Sequence, residues 1–349
     1  MEIIDILKMI APGTLIRDGL DNILKAKTGA LIVIGDNKEV MNIVDGGFNI
    51  NVDYNPARLY ELAKMDGAII ISSDIKKILF ANVQLTPSFN IQSSETGTRH
   101  RTAERTAKQT GNIVISISQR RGFITIYDNN SKYILEDTSR VAAKASQALQ
   151  TVEKYRKVFD SKINTLNEYE FNDIATLKIL VETIQKIEML MKIAEEVQKS
   201  IYELGIDGRL IQMQLDELTA GVEQEEVLLI KDYVVKKDPT EVLTKIRKFN
   251  HEELMNEQSI AKALGMHETD NYDDVAVYTR GYRILNKIPR MPASIVDNIV
   301  KKFKSFQNLL SANVKKLNDV DGVGDVRAKN IVQSLKRMQE QFLFNDENL

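Results

Sequence analysis

Every strand-like run in this chain lies before residue 130, which confines any β-sheet to the amino-terminal part. "GALIVIG" (29–35), "GAIIIS" (67–72), "KKILFANVQL" (76–85), "GNIVISIS" (111–118) and "GFITIYD" (122–128) are aliphatic and β-branched, a composition suited to a pleated, buried surface. The helical patterns "TLIRDGLDNILKA" and "PARLYELAKM" fall between them. Residues 1–140 therefore read as an α/β domain, a mixed sheet flanked by helices. The character changes at Val141, and no proline occurs between Pro87 and Pro239. Leu177, Leu180, Ile184, Ile187, Met191 and Ala194 recur at steps of three and four, a coiled-coil-like seam that suits a subunit interface or packing within the chain equally. Gly205 and Gly208 in "LGIDGR" interrupt the pattern before it resumes at "LIQMQLDEL", giving an all-α middle segment over 141–285. From about Ile284, short helical stretches separated by "KIPRMP", "SANVKKLND" and "DGVGD" predict a small all-α module over 286–349.

A chain of 349 residues exceeds one ordinary core, so two or three domains are expected. It contains no cysteine, which excludes a disulfide framework, thiolate zinc sites and a cysteine nucleophile. The opening "MEIIDILKMIAPG" carries acids inside a short apolar stretch, unlike a signal peptide, and no run approaches the ~18 apolar residues of a membrane span. A cytoplasmic protein without membrane association is expected. The formal net charge of -2 hides an asymmetry: residues 287–349 hold 11 Lys and Arg against 7 Asp and Glu, and the remainder 36 against 42. The carboxyl end is where a polyanion would bind.

The main concentration of fixed positive charge is in "GTRHRTAERTAKQTG", residues 97–111. Thr98 is placed to cap a helix over about Arg99–Gln109, and Gly111 to stop it. Arg101 and Arg105, four apart on one helical face, repel each other at an end whose dipole already disfavours cations. A bound anion offsets both, because first-turn N–H groups and arginine forks together suit phosphate. The bland alternative is a solvated basic helix start partly balanced by Glu104. Near it in sequence, "KMDGAIIIS" sets Asp66 and Gly67 just before an apolar strand. Such a carboxylate can hold a hard divalent cation or a hydroxyl, although an Asp-Gly pair is more often simply a turn. No glycine-rich Walker loop is present, so a P-loop ATPase is excluded.

"DGA" and "GTRHR" in this order, separated by a strand and "ANVQLTP", resemble the two signature motifs of the diadenylate cyclase domain. "LNDVDGVGDVRAKNIVQSL" is similar to a helix-hairpin-helix module. With a helical middle between them, the whole chain resembles the DNA-integrity-scanning diadenylate cyclases. The resemblance implies condensation of two ATP into cyclic di-3′,5′-AMP with release of two pyrophosphates, using Mg²⁺ or Mn²⁺. It implies that Asp66 holds the metal and assists deprotonation of the attacking 3′-hydroxyl. Gly67 and Leu85 would line the nucleoside site, and Thr98, Arg99, His100, Arg101 and Thr102 would hold phosphates, with Ser118 and Arg121 of "SISQRRG" beside them. His100 is expected to contact phosphate rather than act as a general base, because neighbouring cations lower its proton affinity. Since one site holds one ATP and the product joins two, two such domains must face each other; the family is octameric, with the helical middle as a spine.

In "DVDGVGDVRAKNIV", Gly322 and Gly324 permit a tight hairpin whose N–H groups cradle one DNA phosphate without reading bases, ahead of a helix from near Asp325. Arg327 and Lys329 add charge. The upstream "IPRMPASIVDNIVKKF" reads as a pseudo-repeat with proline where glycine should stand. The resemblance further implies that branched DNA such as a four-way junction binds here and lowers cyclase activity. A DNA-binding scaffold that uses ATP as a structural ligand is the competing reading.

Overall fold

The computed structural model describes residues 3–129, 131–234, 237–266 and 275–344. The chain forms two compact units, Met1–Ser146 with Gln198–Gln212, and Gln147–Val197 with Met213–Leu349. In the first, α1 (Ile3–Met9) and α2 (Leu15–Lys25) lead into β1 (Ala30–Ile34), α3 (Lys38–Met41), β2 (Val44–Asp45), β3 (Phe48–Asp53) and α4 (Pro56–Leu62). There follow β4 (Ala68–Ile71), β5 (Lys77–Leu85), α5 (Thr98–Thr110), β6 (Ile113–Ile117), β7 (Ile124–Asp128) and β8 (Ser131–Ile134). The strands form one mixed sheet in the order β2-β5-β4-β1-β6-β7-β8, with β3 paired to β5 off that path. β1 and β4 are parallel, Ile32 opposite Ile69, and the other pairings are antiparallel.

The central strands are apolar throughout because both faces are covered. Ile32, Ile34, Ile69, Ile71, Ile113, Ile115 and Ile117 face α2 and α4 through Leu20, Ile23 and Leu59. The alternate residues Leu31, Val33, Ala68, Ile70 and Val114 face α3 and α5 through Val40, Ala103 and Ala107. Each fully buried aliphatic side chain contributes about 1.5–3 kcal/mol. The small Ala103 and Ala107, one helical turn apart, seat α5 on this face of the sheet and thereby position its arginines. Three strands escape the sequence pattern for a physical reason: β2 is two residues long, β3, "FNINVD", is exposed or half-buried along its length, and β8 is similar, so none carries an apolar run.

Two long helices follow, α6 (Thr138–Phe171) and α7 (Leu177–Leu204), then a 3₁₀ turn over Gly205–Gly208 and α8 (Arg209–Thr219). The interruption expected at Gly205 is real: Gly205 has φ +53°. Of the seam, Leu177, Leu180, Ile184, Ile187 and Ala194 are buried within the chain, so internal packing uses it. α9 (Val222–Tyr233), α10 (Pro239–Arg247), α11 (His251–Met255) and α12 (Glu257–Leu264) complete the helical middle. The carboxyl end holds α13 (Tyr282–Asn286), α14 (Ala293–Phe303), α15 (Phe306–Leu310), α16 (Val314–Asn318) and α17 (Asp325–Phe344). Its core includes Phe171 and Leu228 of the middle helices, and the expected divide at 285/286 falls inside one compact unit. Among the described residues no helix is long and apolar enough to cross a membrane.

Candidate active site

The arginine segment forms α5, but not with the expected cap. Gly97 is the N-cap, with extended backbone and no side-chain cap bond, Thr98 opens the helix, and Gly111 ends it in the left-handed conformation. The cations divide into two groups with different work. Arg101 Nη2 donates to the Thr96 carbonyl at 3.0 Å, Arg105 Nε to the Ile91 carbonyl at 2.8 Å and Lys108 Nζ to the Gln92 carbonyl at 3.0 Å. These three staple the preceding loop to the helix. Glu104 does not balance the arginines: it pairs with Lys108 at 2.7 Å and accepts from Ser93 Oγ and Ser94 N–H. Burial works against its charge, yet these bonds hold its carboxyl below the ordinary carboxylate range.

Arg99 is not one of these staples: it is half-buried, and its guanidinium lies against Gly29. A Cβ placed on Gly29 would come within 1.9 Å of Arg99 Nη1, so this glycine keeps the room that the arginine occupies. Thr98 and Arg99 line two adjoining depressions. The larger, about 720 Å³, is walled by Leu31, Gly67, Leu85 and Thr102, and by Asp45, Gly46 and Gly47. The other, about 440 Å³, is lined by Glu95, His100, Ser118, Arg121 and Phe123 among others. Of the expected nucleotide residues, Gly67, Leu85 and Thr102 thus gather in the first and His100, Ser118 and Arg121 in the second. Arg101 lines neither; its exposed side chain serves the loop. Asp66 is exposed beside Gly67 and lines neither. Gly67 itself has φ +90°, and a Cβ there would stand 2.8 Å from the Val83 carbonyl oxygen. Only glycine fits that approach to β5.

His100 is half-buried behind the second depression. Its Nδ1 is 3.0 Å from Tyr127 Oη, which donates to Glu95 Oε1 at 2.8 Å, which in turn pairs with Lys132 Nζ at 2.5 Å. Burial first, then Lys132, Arg99 and Arg121 acting against Glu95, lower the proton affinity of His100. The direction matches the expectation; burial, rather than charge, leads it. Glu95, Tyr127 and Lys132 were not singled out in the sequence, nor were Asp45 and Gly29. Asp45 carries only a weak signal, one of five Asp-Gly pairs in the chain, here as "DGG"; Gly29 carries none, since Arg99 reaches it from seventy positions away in the chain.

Among the described residues no three His, Cys, Asp or Glu side chains gather into a metal-holding group. Asp66, the expected metal ligand, offers one exposed carboxylate beside Gly67, a hard oxygen donor of the type that suits Mg²⁺ or Mn²⁺.

At the carboxyl end, Gly322 has φ +80° and its Cβ position is 3.3 Å from Ile295, whereas Gly324 has open space around it. Arg327 Nη1 donates to the Gly322 carbonyl, so this arginine closes the hairpin, while Lys329 is exposed. The pseudo-repeat is real in backbone terms: Arg290 at φ +60° stands where Gly322 stands in the second copy, and α14 follows it as α17 follows Gly324. Asn298 Nδ2 ties the two by donating to the Asp321 carbonyl at 3.1 Å.

Comparison with known proteins agrees with these three parts. Residues 17–132 match the family model of the DisA bacterial checkpoint controller nucleotide-binding domain. Residues 135–272 match that of the DisA linker region, and 282–337 that of the SAM-like helix-hairpin-helix tandem. The chain is 51% identical over 350 residues to the DNA integrity scanning protein DisA of Acetivibrio thermocellus, covering 100% of this chain and 97% of that one. It is 52% identical over 346 residues to the protein of the same name from Clostridium botulinum strain Eklund 17B, covering 99% and 98%. Among solved structures, DacA from Staphylococcus aureus aligns with 35% of this chain and 87% of its own at 23% identity, with a TM-score of 0.31.

Proposed function

From the premise that this chain belongs to the DisA family of diadenylate cyclases, we propose that its paired depressions bind one ATP and that two facing copies produce cyclic di-3′,5′-AMP. The observation that carries this reading is that Thr98 and Arg99 line both depressions. A nucleoside in the larger one, against Leu85 and Gly67, can run its phosphates past the α5 N-terminus into the cationic smaller one. Free first-turn N–H groups, the helix dipole and arginine donors all favour negative charge there.

Each 3′-hydroxyl attacks the α-phosphorus of the other ATP, one phosphoester bond forms as one pyrophosphate leaves, and the hydroxyl proton is released. Two such events balance as two ATP to cyclic di-AMP and two pyrophosphates. Asp66 accepts or relays the hydroxyl proton, and Arg99 and Arg121 neutralise the charge that builds on the phosphate oxygens. Asp66 would also hold Mg²⁺ or Mn²⁺, which supplies Lewis-acid polarisation of the phosphate when bound. Because the chemistry needs two sites face to face, the active form is an oligomer, and the family's octamer fits it. The hairpin tandem engages DNA backbone, and several copies on one oligomer favour branched DNA such as a four-way junction, whose binding lowers synthesis.

Incubating the purified chain with ATP and Mn²⁺ and identifying the product by mass spectrometry tests the reading. Cyclic di-AMP with two equivalents of pyrophosphate is expected. ATP that binds and is recovered unchanged would favour the scaffold reading instead.

A further inference from the structure

His100 Nε2 is buried without a hydrogen-bond partner, and the groups behind the ring dictate its protonation. Tyr127, 1% exposed, has one phenolic hydrogen. Glu95, paired with Lys132, is ionised: burial works against its charge, but Lys132 and Tyr127 overcome this and hold it below the ordinary carboxylate range. A carboxylate has no hydrogen to give, so Tyr127 donates to Glu95. The phenolic oxygen must then accept from the imidazole, and Nδ1 carries the ring's hydrogen. In the neutral ring Nε2 is left with a bare lone pair that no protein group donates to, an arrangement that costs free energy until something donates to it or it gains a proton.

The charged groups facing His100 come from every element around it: Glu95 from the loop before α5, Arg99 from α5, Arg121 from the turn between β6 and β7, and Lys132 from β8. Three cations face one anion, so the unliganded ring stays neutral. An anion in the depression that His100 shares with Arg99 and Arg121 reverses that balance.

We propose that Tyr127 and Glu95 are positioning residues that fix Nδ1 as the donor of His100, and that triphosphate binding therefore draws one proton from solvent onto Nε2. The proposal rests on the nucleotide reading of the site. The step is balanced: a buffer acid loses its proton, an N–H bond forms at Nε2, and that N–H donates to a phosphate oxygen. The relay is what makes uptake obligatory. Without it, a neutral ring would move its hydrogen to Nε2 and donate to phosphate with no proton taken from solvent.

The test is isothermal titration of the full chain with 3′-deoxy-ATP, which keeps the triphosphate and lacks the attacking hydroxyl. Run at about pH 8, above the ordinary histidine range, in two buffers of different ionisation heat, it counts protons taken up. The parent is expected to take up close to one proton more than His100→Gln. Tyr127→Phe and Glu95→Leu, which remove the acceptor of the Nδ1 hydrogen and the acceptor of the Tyr127 hydrogen respectively, should bind nucleotide yet lose most of that uptake. Histidine-selective ¹⁵N spectra, in which the signals of His100 among the three histidines are identified by their loss in His100→Gln, give a second readout: the Nδ1–H tautomer at His100 before nucleotide, both of its nitrogens protonated after. Equal uptake by the parent and His100→Gln overturns the proposal, and uptake preserved in both Tyr127→Phe and Glu95→Leu removes the relay's role. No binding heat at all for the parent would instead sink the nucleotide reading itself.

Discussion

Replacing Gly29 with Ala probes Arg99 without touching a charge. The added Cβ would meet Arg99 Nη1 at 1.9 Å and Cζ at 2.8 Å, against an ordinary contact of 3.4–4 Å. No backbone strain accompanies it, since Gly29 is absent from the positive-φ glycines. The flexible end of the arginine must therefore withdraw by a distance comparable to the difference between a good hydrogen bond and none. A hydrogen bond to a charged group contributes about 1.5–3 kcal/mol, so losing one at the phosphate weakens ATP binding by about 10- to 100-fold. Arg99→Ala should weaken it at least as much, and the double variant should add little, because both changes remove the same contact. The assay is ATP titration by calorimetry, with thermal unfolding alongside to show that the fold is intact. Gly29→Ala with parental affinity beside a weakened Arg99→Ala would mean that the guanidinium does not bind phosphate from its place against Gly29. Full additivity in the double variant would refute a shared contact.

Three further outcomes follow from named residues. Asp66→Asn removes the proton acceptor and metal-binding charge at nearly constant shape; synthesis should fall by about a hundredfold or more while ATP binding persists, and turnover within tenfold of the parent would remove Asp66 from the chemistry. Glu188, buried beside Glu226, has its pKa raised to about 9, first by burial and then by that neighbour. Its folded pKa lies above its unfolded one, so the folded state holds the extra proton and stability declines as pH rises from about 4.5 towards 9. Glu188→Gln, which keeps the protonated shape, should then gain Tm relative to the parent progressively between pH 5 and pH 9, and a pH-independent difference would contradict a proton held on Glu188 in the folded state. Gly324→Val adds bulk where nothing lies within 4 Å, so it should leave the fold unchanged and weaken DNA binding several-fold in a low-salt electrophoretic assay; unchanged affinity would move the phosphate contact away from the hairpin. Gly322 is the poorer probe, because φ +80° and the 3.3 Å approach to Ile295 make any side chain there a folding defect first.

Four of the five strands that the sequence declares, β1, β4, β6 and β7, are buried along almost their whole length, whereas β5 is buried only at intervals along its nine residues. β3 and β8 are exposed and carry no apolar signature, so only pairing with β5 and β7 defines them. The α5 cap was misplaced by one position because Gly97 and Thr98 are both acceptable caps, and the choice between them is made by the loop that α5 holds. The same limit applies to charge. Arg99, Arg101 and Arg105 are one residue type in one segment, yet the latter two spend their donors on carbonyls at Thr96 and Ile91. Residue type marks the segment as cationic; which arginine keeps its donors off backbone carbonyls depends on tertiary neighbours, as do the reach of Arg99 to Gly29 and the chain from His100 to Lys132.

The carboxyl-terminal tandem is also less separable than its sequence. Asp232 of α9 accepts from the backbone N–H groups of Tyr282 and Arg283 at 2.7 and 2.9 Å. Arg283, fully buried, donates to Asn167 and Glu225 and pairs with Glu170, which also accepts from Tyr233. A chain cut before Tyr282 leaves Glu170 and Asp232 buried, 2% and 0% exposed, with their main counter-charge gone. Breaking one buried ion pair costs about 3–5 kcal/mol, a large part of the roughly 5–15 kcal/mol that holds a domain folded. A cut after Lys287 spares Arg283 but removes Val296, Ile299 and Phe306 from the core that Phe171 and Leu228 share. Either truncation perturbs the helical middle as well as removing the hairpins, so its effect on synthesis has two causes. Gly324→Val changes one exposed point of the second hairpin and leaves the buried network whole, and the response of synthesis to a four-way junction in that variant therefore reports on DNA contact alone.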